Sequence, residues 1–205
     1  MIFRHHKPAP PLAEFVDLVW FYQCSEPPPH RTERILPSGD MGVVIDLRET
    51  RSSGAILCGA YSEYFTLDTA QQAYTLGIHF KPGGAFPFLK IPAGEFEGRH
   101  VALSDVWGSR AGELREKLLA AENIDERFRM VDHALLSMMK PPRDPHPAVA
   151  YALREIGHTH RVDELTSQIS LSPKRFTDVF RNEVGLTPKL FCRLRRFQQA
   201  LRRLN

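Results

Sequence analysis

The 205-residue sequence predicts an α+β protein: an N-terminal β-sandwich or barrel carrying a helical hairpin, then an all-α segment of helix-turn-helix type. Three observations predict it. Short apolar runs between about residues 12 and 107 are separated by turn chemistry. From residue 111 to 139 the apolar spacing changes to that of helices. Beyond a proline-rich stretch, capped amphipathic helices follow.

The strands come first. Residues 41–47 and 73–80 are rich in β-branched or aromatic side chains, and residues 55–58 are a short apolar run; all three are expected as strands. Residues 15–22 fit a strand or a short helix, and periodicity does not separate the two. The breaks carry Pro37-Ser-Gly-Asp40, Ser52-Ser-Gly54 and Lys81-Pro-Gly-Gly84. In the hairpin, predicted over 110–139, Leu114, Leu118 and Leu119 form one apolar face. Ile124, Phe128, Val131, Leu135 and Met138 form another. Such a hairpin can cap the β-domain or form a dimer contact, and the sequence is compatible with both.

Four prolines between Lys140 and Pro147 stop both helix and sheet. They divide the chain into a sensory-type body over 1–139, a linker over 140–147 and a helical segment over 148–205. Pro147 suits the first position of a helix whose face is Val149, Leu153 and Ile156. A second helix is expected over 162–169, with Leu165 and Ile169 inward. Ser172 and Pro173 are an N-cap and first residue for a third helix, which ends at Gly185. Its inward residues are Phe176, Val179, Phe180 and Val184. Thr187 and Pro188 open a last helix with the stripe Leu190, Phe191, Leu194, Phe197, Leu201 and Leu204.

Charge follows this division. The chain carries +3 overall, but residues 143–205 hold twelve Lys or Arg against six Asp or Glu, a balance of +6. A basic tail on a mildly acidic body points to a polyanionic partner for the tail. Two short helices joined by a tight turn are a helix-turn-helix candidate. In such a motif the N-terminal part of the second helix enters the major groove. Its outward positions are Lys174, Arg175, Thr177, Asp178 and Arg181. Lys and Arg can reach guanine or phosphate, Thr can meet thymine, and Asp can accept from cytosine.

The residues that carry a resemblance are Leu165, Ile169, Leu171, Ser172, Phe176, Phe180, Gly185-Leu-Thr-Pro188, Phe191, Phe197 and Ala200. In this register they resemble the first helix-turn-helix and connecting helix of the AraC family of transcription regulators, over about residues 147–205. Residues 37–40, Gly59, 77–85, 91–93, Leu103 and Asp105 more loosely resemble the cupin-like sensory domain often attached to it. The resemblance implies a cytoplasmic regulator that binds double-stranded DNA, answers a small-molecule effector and can form a homodimer. Two departures stand out. Family members carry two reading units, and this chain ends inside or just after the connecting helix, so a truncated or short form that binds operator DNA weakly is expected. Asp178 also stands where many relatives carry Arg.

Other chemistry is less well supported. No apolar run is long enough for a membrane span and no signal peptide is expected. Cys24, Cys58 and Cys192 are widely spaced and read as packed thiols. His79, His30, His100 and Glu63 lack the His-x-His spacing of a cupin metal site, so no metal, cofactor or catalytic residue is assigned. Asp40 reads as a turn residue. Trp20, Phe21 and Tyr22 read as core or as the lining of an effector pocket. Two further readings stay open: a small cupin-type metalloenzyme, and an interaction protein that pairs with longer regulators through residues 111–139.

Overall fold

The computed structural model describes residues 1–25, 31–48, 54–69, 73–139, 145–156 and 168–204. Among them a mixed α+β architecture is present, with antiparallel strands followed by helices. The strands are β1 (Ile2–His6), β2 (Val16–Gln23), β3 (Thr32–Ile35), β4 (Gly42–Asp46), β5 (Ala55–Cys58), β6 (Phe65–Asp68), β7 (Tyr74–Phe80) and β8 (His100–Ala102). Six form one sheet in the order β1-β2-β7-β4-β5-β8, and β3 pairs with β6 in a second.

Alternation sets the register of the large sheet. Val19 lies opposite Ile78, Ile78 opposite Val43, and Val43 opposite Leu57, which makes one buried row across four strands. Phe21, Leu76 and Ile45 make a second row on the same face. Successive side chains of a strand point to opposite faces, so residues two apart share the core. The segment over 15–22 is thereby settled as a strand, because it is paired on both sides, by β1 and by β7. Trp20 and Phe21 fall on opposite faces. Phe21 is buried edge-on against Tyr74, while Trp20 lies flat over Gly77, where a Cβ would come within 2.1 Å of the indole.

The helices are α1 (Leu103–Trp107), α2 (Ser109–Ala120), α3 (Ile124–Met138), α4 (Pro147–Glu155), α5 (Pro173–Val184) and α6 (Pro188–Leu204). The hairpin α2–α3 docks on the large sheet. Arg115 of α2 donates to the carbonyls of Asp46 and Arg48. His6 of β1 stacks on Phe128 and bonds Asp132 of α3. Asn123 caps α3 by accepting from the Glu126 amide, and the Glu126 carboxylate accepts from the Glu122 amide. This local exchange satisfies amides the helix itself leaves unbonded.

The helical segment after the linker does not stand apart from the sheet. Buried residues of both form one continuous cluster. α5 packs on the short 3₁₀ turn Ala93–Phe96, and a Cβ on Gly185 would meet Ala60 at 3.2 Å. Gly83, in the turn after β7, faces Leu153 of α4 and Val184 of α5. Gly39 has φ +79° and takes α6 close: a Cβ there would lie 2.6 Å from Leu194.

Candidate nucleic-acid interface

α5 is delimited by the chemistry its sequence carries. The Ser172 hydroxyl accepts from the Arg175 amide at 3.3 Å, and Pro173 opens the helix. Gly185 ends it with φ +96°, its amide donating to the Arg181 carbonyl at 2.9 Å. Only glycine takes that left-handed conformation without strain. Thr187 then caps α6 by accepting from the Leu190 amide.

The back of α5 is apolar. Phe176 and Phe180 are fully buried edge-to-face at 5.7 Å, and Phe180 meets Phe191 of α6 at 5.8 Å. Such ring pairs fix the angle between the two helices as well as burying area. Glu183 is also buried on this face. Both its oxygens accept from the His146 amide at 3.1 Å, which ties α5 to the start of α4. Burial raises its pKa, and the His146 contact opposes the rise in part.

The five outward positions divide into two groups. Lys174, Arg175 and Asp178 are exposed on the first turns. Thr177 is half-buried and its hydroxyl donates to the Pro173 carbonyl at 2.9 Å, so it is engaged within its own helix. Arg181 turns toward the sheet portion. Its guanidinium donates to the Gly94 carbonyl at 3.0 Å and pairs with Glu97 at 3.4 Å. Sequence reading missed Glu97 and Gly94 as partners because they lie more than eighty residues away. The helix expected over 162–169 falls mostly outside the described residues; residues 168–171 form a turn before Ser172.

Along α6, Lys189, Arg193, Arg196, Arg202 and Arg203 are exposed, and Arg195 sits over the Phe191 ring at 5.8 Å. The expected apolar stripe is covered only in its first half. Phe191 and Leu194 are buried, whereas Phe197 and Leu204 are exposed.

His79 and Asp40, read separately as a strand histidine and a turn residue, come together. His79 Nε2 lies 3.9 Å from Asp40 Oδ2, and His79 Nδ1 lies 3.8 Å from Asp17 Oδ2. Among the described residues no three such groups converge to hold a metal ion. Burial is the main cause that pushes the Asp40 carboxyl up from its ordinary value of 3.8 to about 6; His79 and Arg195 oppose it. A raised acid pKa means that the folded state binds the proton more tightly than the unfolded one. The group's contribution to stability is complete below about pH 4 and is lost as pH rises through about 6. Asp40→Asn is therefore expected to gain melting temperature relative to the parent as pH rises across this window, checked by paired thermal scans from acid to neutral pH.

The fold and this face define a class: an antiparallel-sheet body to which a basic, capped pair of helices is docked. Residues 4–102 match the model of a family described as a domain of unknown function, DUF6597. The match opens within β1 and ends on the last residue of β8, so it covers the sheet portion and none of the helices. No curated protein matches the chain, and no solved structure matches it. No helix among the described residues is long and apolar enough to cross a membrane.

Proposed function

We propose that this chain is a sequence-specific DNA-binding transcription regulator of the AraC type, with a cupin-like sensory body and a helix-turn-helix segment. The observation that carries the reading is α5 itself. Its two phenylalanines anchor it from behind, Ser172 and Gly185 set its ends, and Lys174 and Arg175 project from its first turn. A rigid helix with cations at an exposed N-terminal end suits entry into a major groove. The basic face of α6 adds sequence-independent attraction to phosphate.

The test is a salt-titrated binding assay on duplex DNA from upstream of the chain's own coding region, against a scrambled duplex. Selective binding to the upstream duplex is expected. Lys174→Ala and Arg175→Ala are each expected to weaken it. If the lost contact is to phosphate, the salt slope falls by about 1; if it is to a base, discrimination falls by about 1–3 kcal/mol. Equal binding to both duplexes, unchanged by either substitution, overturns the reading.

One observation favours a second reading, an interaction protein without DNA affinity. With Arg181 held by Glu97 and Gly94 and Thr177 bonded within its own helix, the outward positions that stay exposed are Lys174, Arg175 and the acidic Asp178. That reading is supported if the purified chain self-associates and no selective binding survives moderate salt.

A further inference from the structure

We infer that the cavity between the sheet portion and α6 is a binding site for a small zwitterion, with an ammonium group at one end and a carboxylate or phosphate at the other. The cavity holds about 320 Å³, at the lower end of the range for small-molecule sites. Its two walls come from parts of the chain remote in sequence. Asp17, Ser38, Asp40, His79 and Lys81 line one side, the Lys81 ammonium being bonded to the Ala13 carbonyl; Arg195, Gln198 and Arg202 of α6 line the other.

Each wall calls for a different charge. Asp40 is nearly buried, with 11 % of its side chain exposed, and its Oδ1 has no hydrogen-bond donor among the described residues. A buried carboxylate short of donors is costly, and an ammonium group in the cavity beside it supplies a compensating charge. Asp17 lies at a register shift between Val16 and Leu18, an irregularity of the kind that re-aims a side chain, and it adds a second carboxylate on the same side. On the helix wall, Arg195 and Arg202 are seven residues apart and share one face. Neither has an ion-pair partner among the described residues. Guanidinium groups match carboxylate or phosphate with two parallel bonds. A simple anion would have to sit beside Asp40, and a simple cation beside two arginines. A zwitterion satisfies both walls at once, and the mixed lining rejects either half alone.

The position of the site gives binding a consequence. The Gln198 amide donates to the Pro37 carbonyl, so α6 already rests on the turn that carries Asp40. A ligand held by both walls would tighten that attachment, and α6 is joined to α5 through residues 185–187. The regulatory consequence rests on the regulator reading; the binding itself does not.

The test uses the whole chain without DNA. Titration calorimetry and thermal shift are run with the common free amino acids and phosphoethanolamine. For each compound that binds, the matching amine and the matching acid are run as well. At least one zwitterion is expected to saturate the protein and raise its melting temperature, with each half-molecule weaker by about tenfold or more. Asp40→Asn and Arg195→Gln are each expected to weaken binding by about tenfold, while Arg129→Gln, in the groove between α2 and α3, leaves it unchanged. Arg195 is half-exposed, so that variant keeps the test valid should Asp40→Asn fold poorly. No saturable binding at about 10 mM overturns the inference, as does equal binding of the half-molecules or indifference to both substitutions. Binding of the zwitterion with no selective DNA binding sinks the regulator reading and leaves the site standing; the reverse result does the opposite.

Discussion

Phe180→Ala is expected to destabilise the protein by about 3–5 kcal/mol, the range for removing a large aromatic side chain from a packed core. Phe180 has no exposed surface and stands between Phe176 and Phe191, edge-on to both. The substitution removes the ring that couples α5 to α6. Urea unfolding followed by circular dichroism should show a lower midpoint with an unchanged slope. A loss below about 1 kcal/mol would mean that the two helices are not held by this contact in solution.

Gly59→Ala is the second large effect expected, for a different reason. A Cβ at Gly59 would fall 1.7 Å from the Phe96 carbonyl oxygen and 3.0 Å from the Phe96 Cβ. The backbone cannot yield easily, because the Gly59 amide donates to the Arg99 carbonyl and the Gly98 amide to the Ala60 carbonyl. Overpacking of this kind costs about 1–3 kcal/mol, and a clash with backbone belongs at the upper end. The damage should spread to α5, which rests on Ala60 and on the turn Ala93–Phe96 through Gly185. Hydrogen exchange is expected to speed up at residues 93–99 and along α5 together. Faster exchange confined to residues 59 and 60 would contradict that coupling.

The strands with a buried face were legible. The segments predicted over 41–47, 55–58 and 73–80 appear as β4, β5 and β7 with ends within one residue of those expected. The hairpin predicted over 110–139 appears as α2 and α3 over 109–138. Strands β1, β3, β6 and β8 were not predicted. β1 and β3 are exposed at all but their last residue, β6 has no fully buried residue, and β8 is three residues long. Hydropathy marks a strand through the face it buries, so these carry little signal, and pairing with a neighbour holds them instead. The short helix α1 was missed for lack of length.

The sequence by itself determined both ends of α5, the start of α6 and the inward face of α5. Capping and helix termination act over three or four residues, and the side chains that do it are adjacent in the chain. It also determined which side chains leave the first turn of α5, since helical phase follows from the buried phenylalanines. The tertiary structure decided where those helices rest. It turned Arg181 toward Gly94 and Glu97, set Gly185 against Ala60 and Ala93, and brought Asp40, His79 and Arg195 around one cavity. Asp40 and Arg195 are separated by most of the chain. Periodicity reports that a residue is buried or exposed but carries no record of its distant partner, so only the packing of α6 on the Pro37–Asp40 turn could bring these charges together.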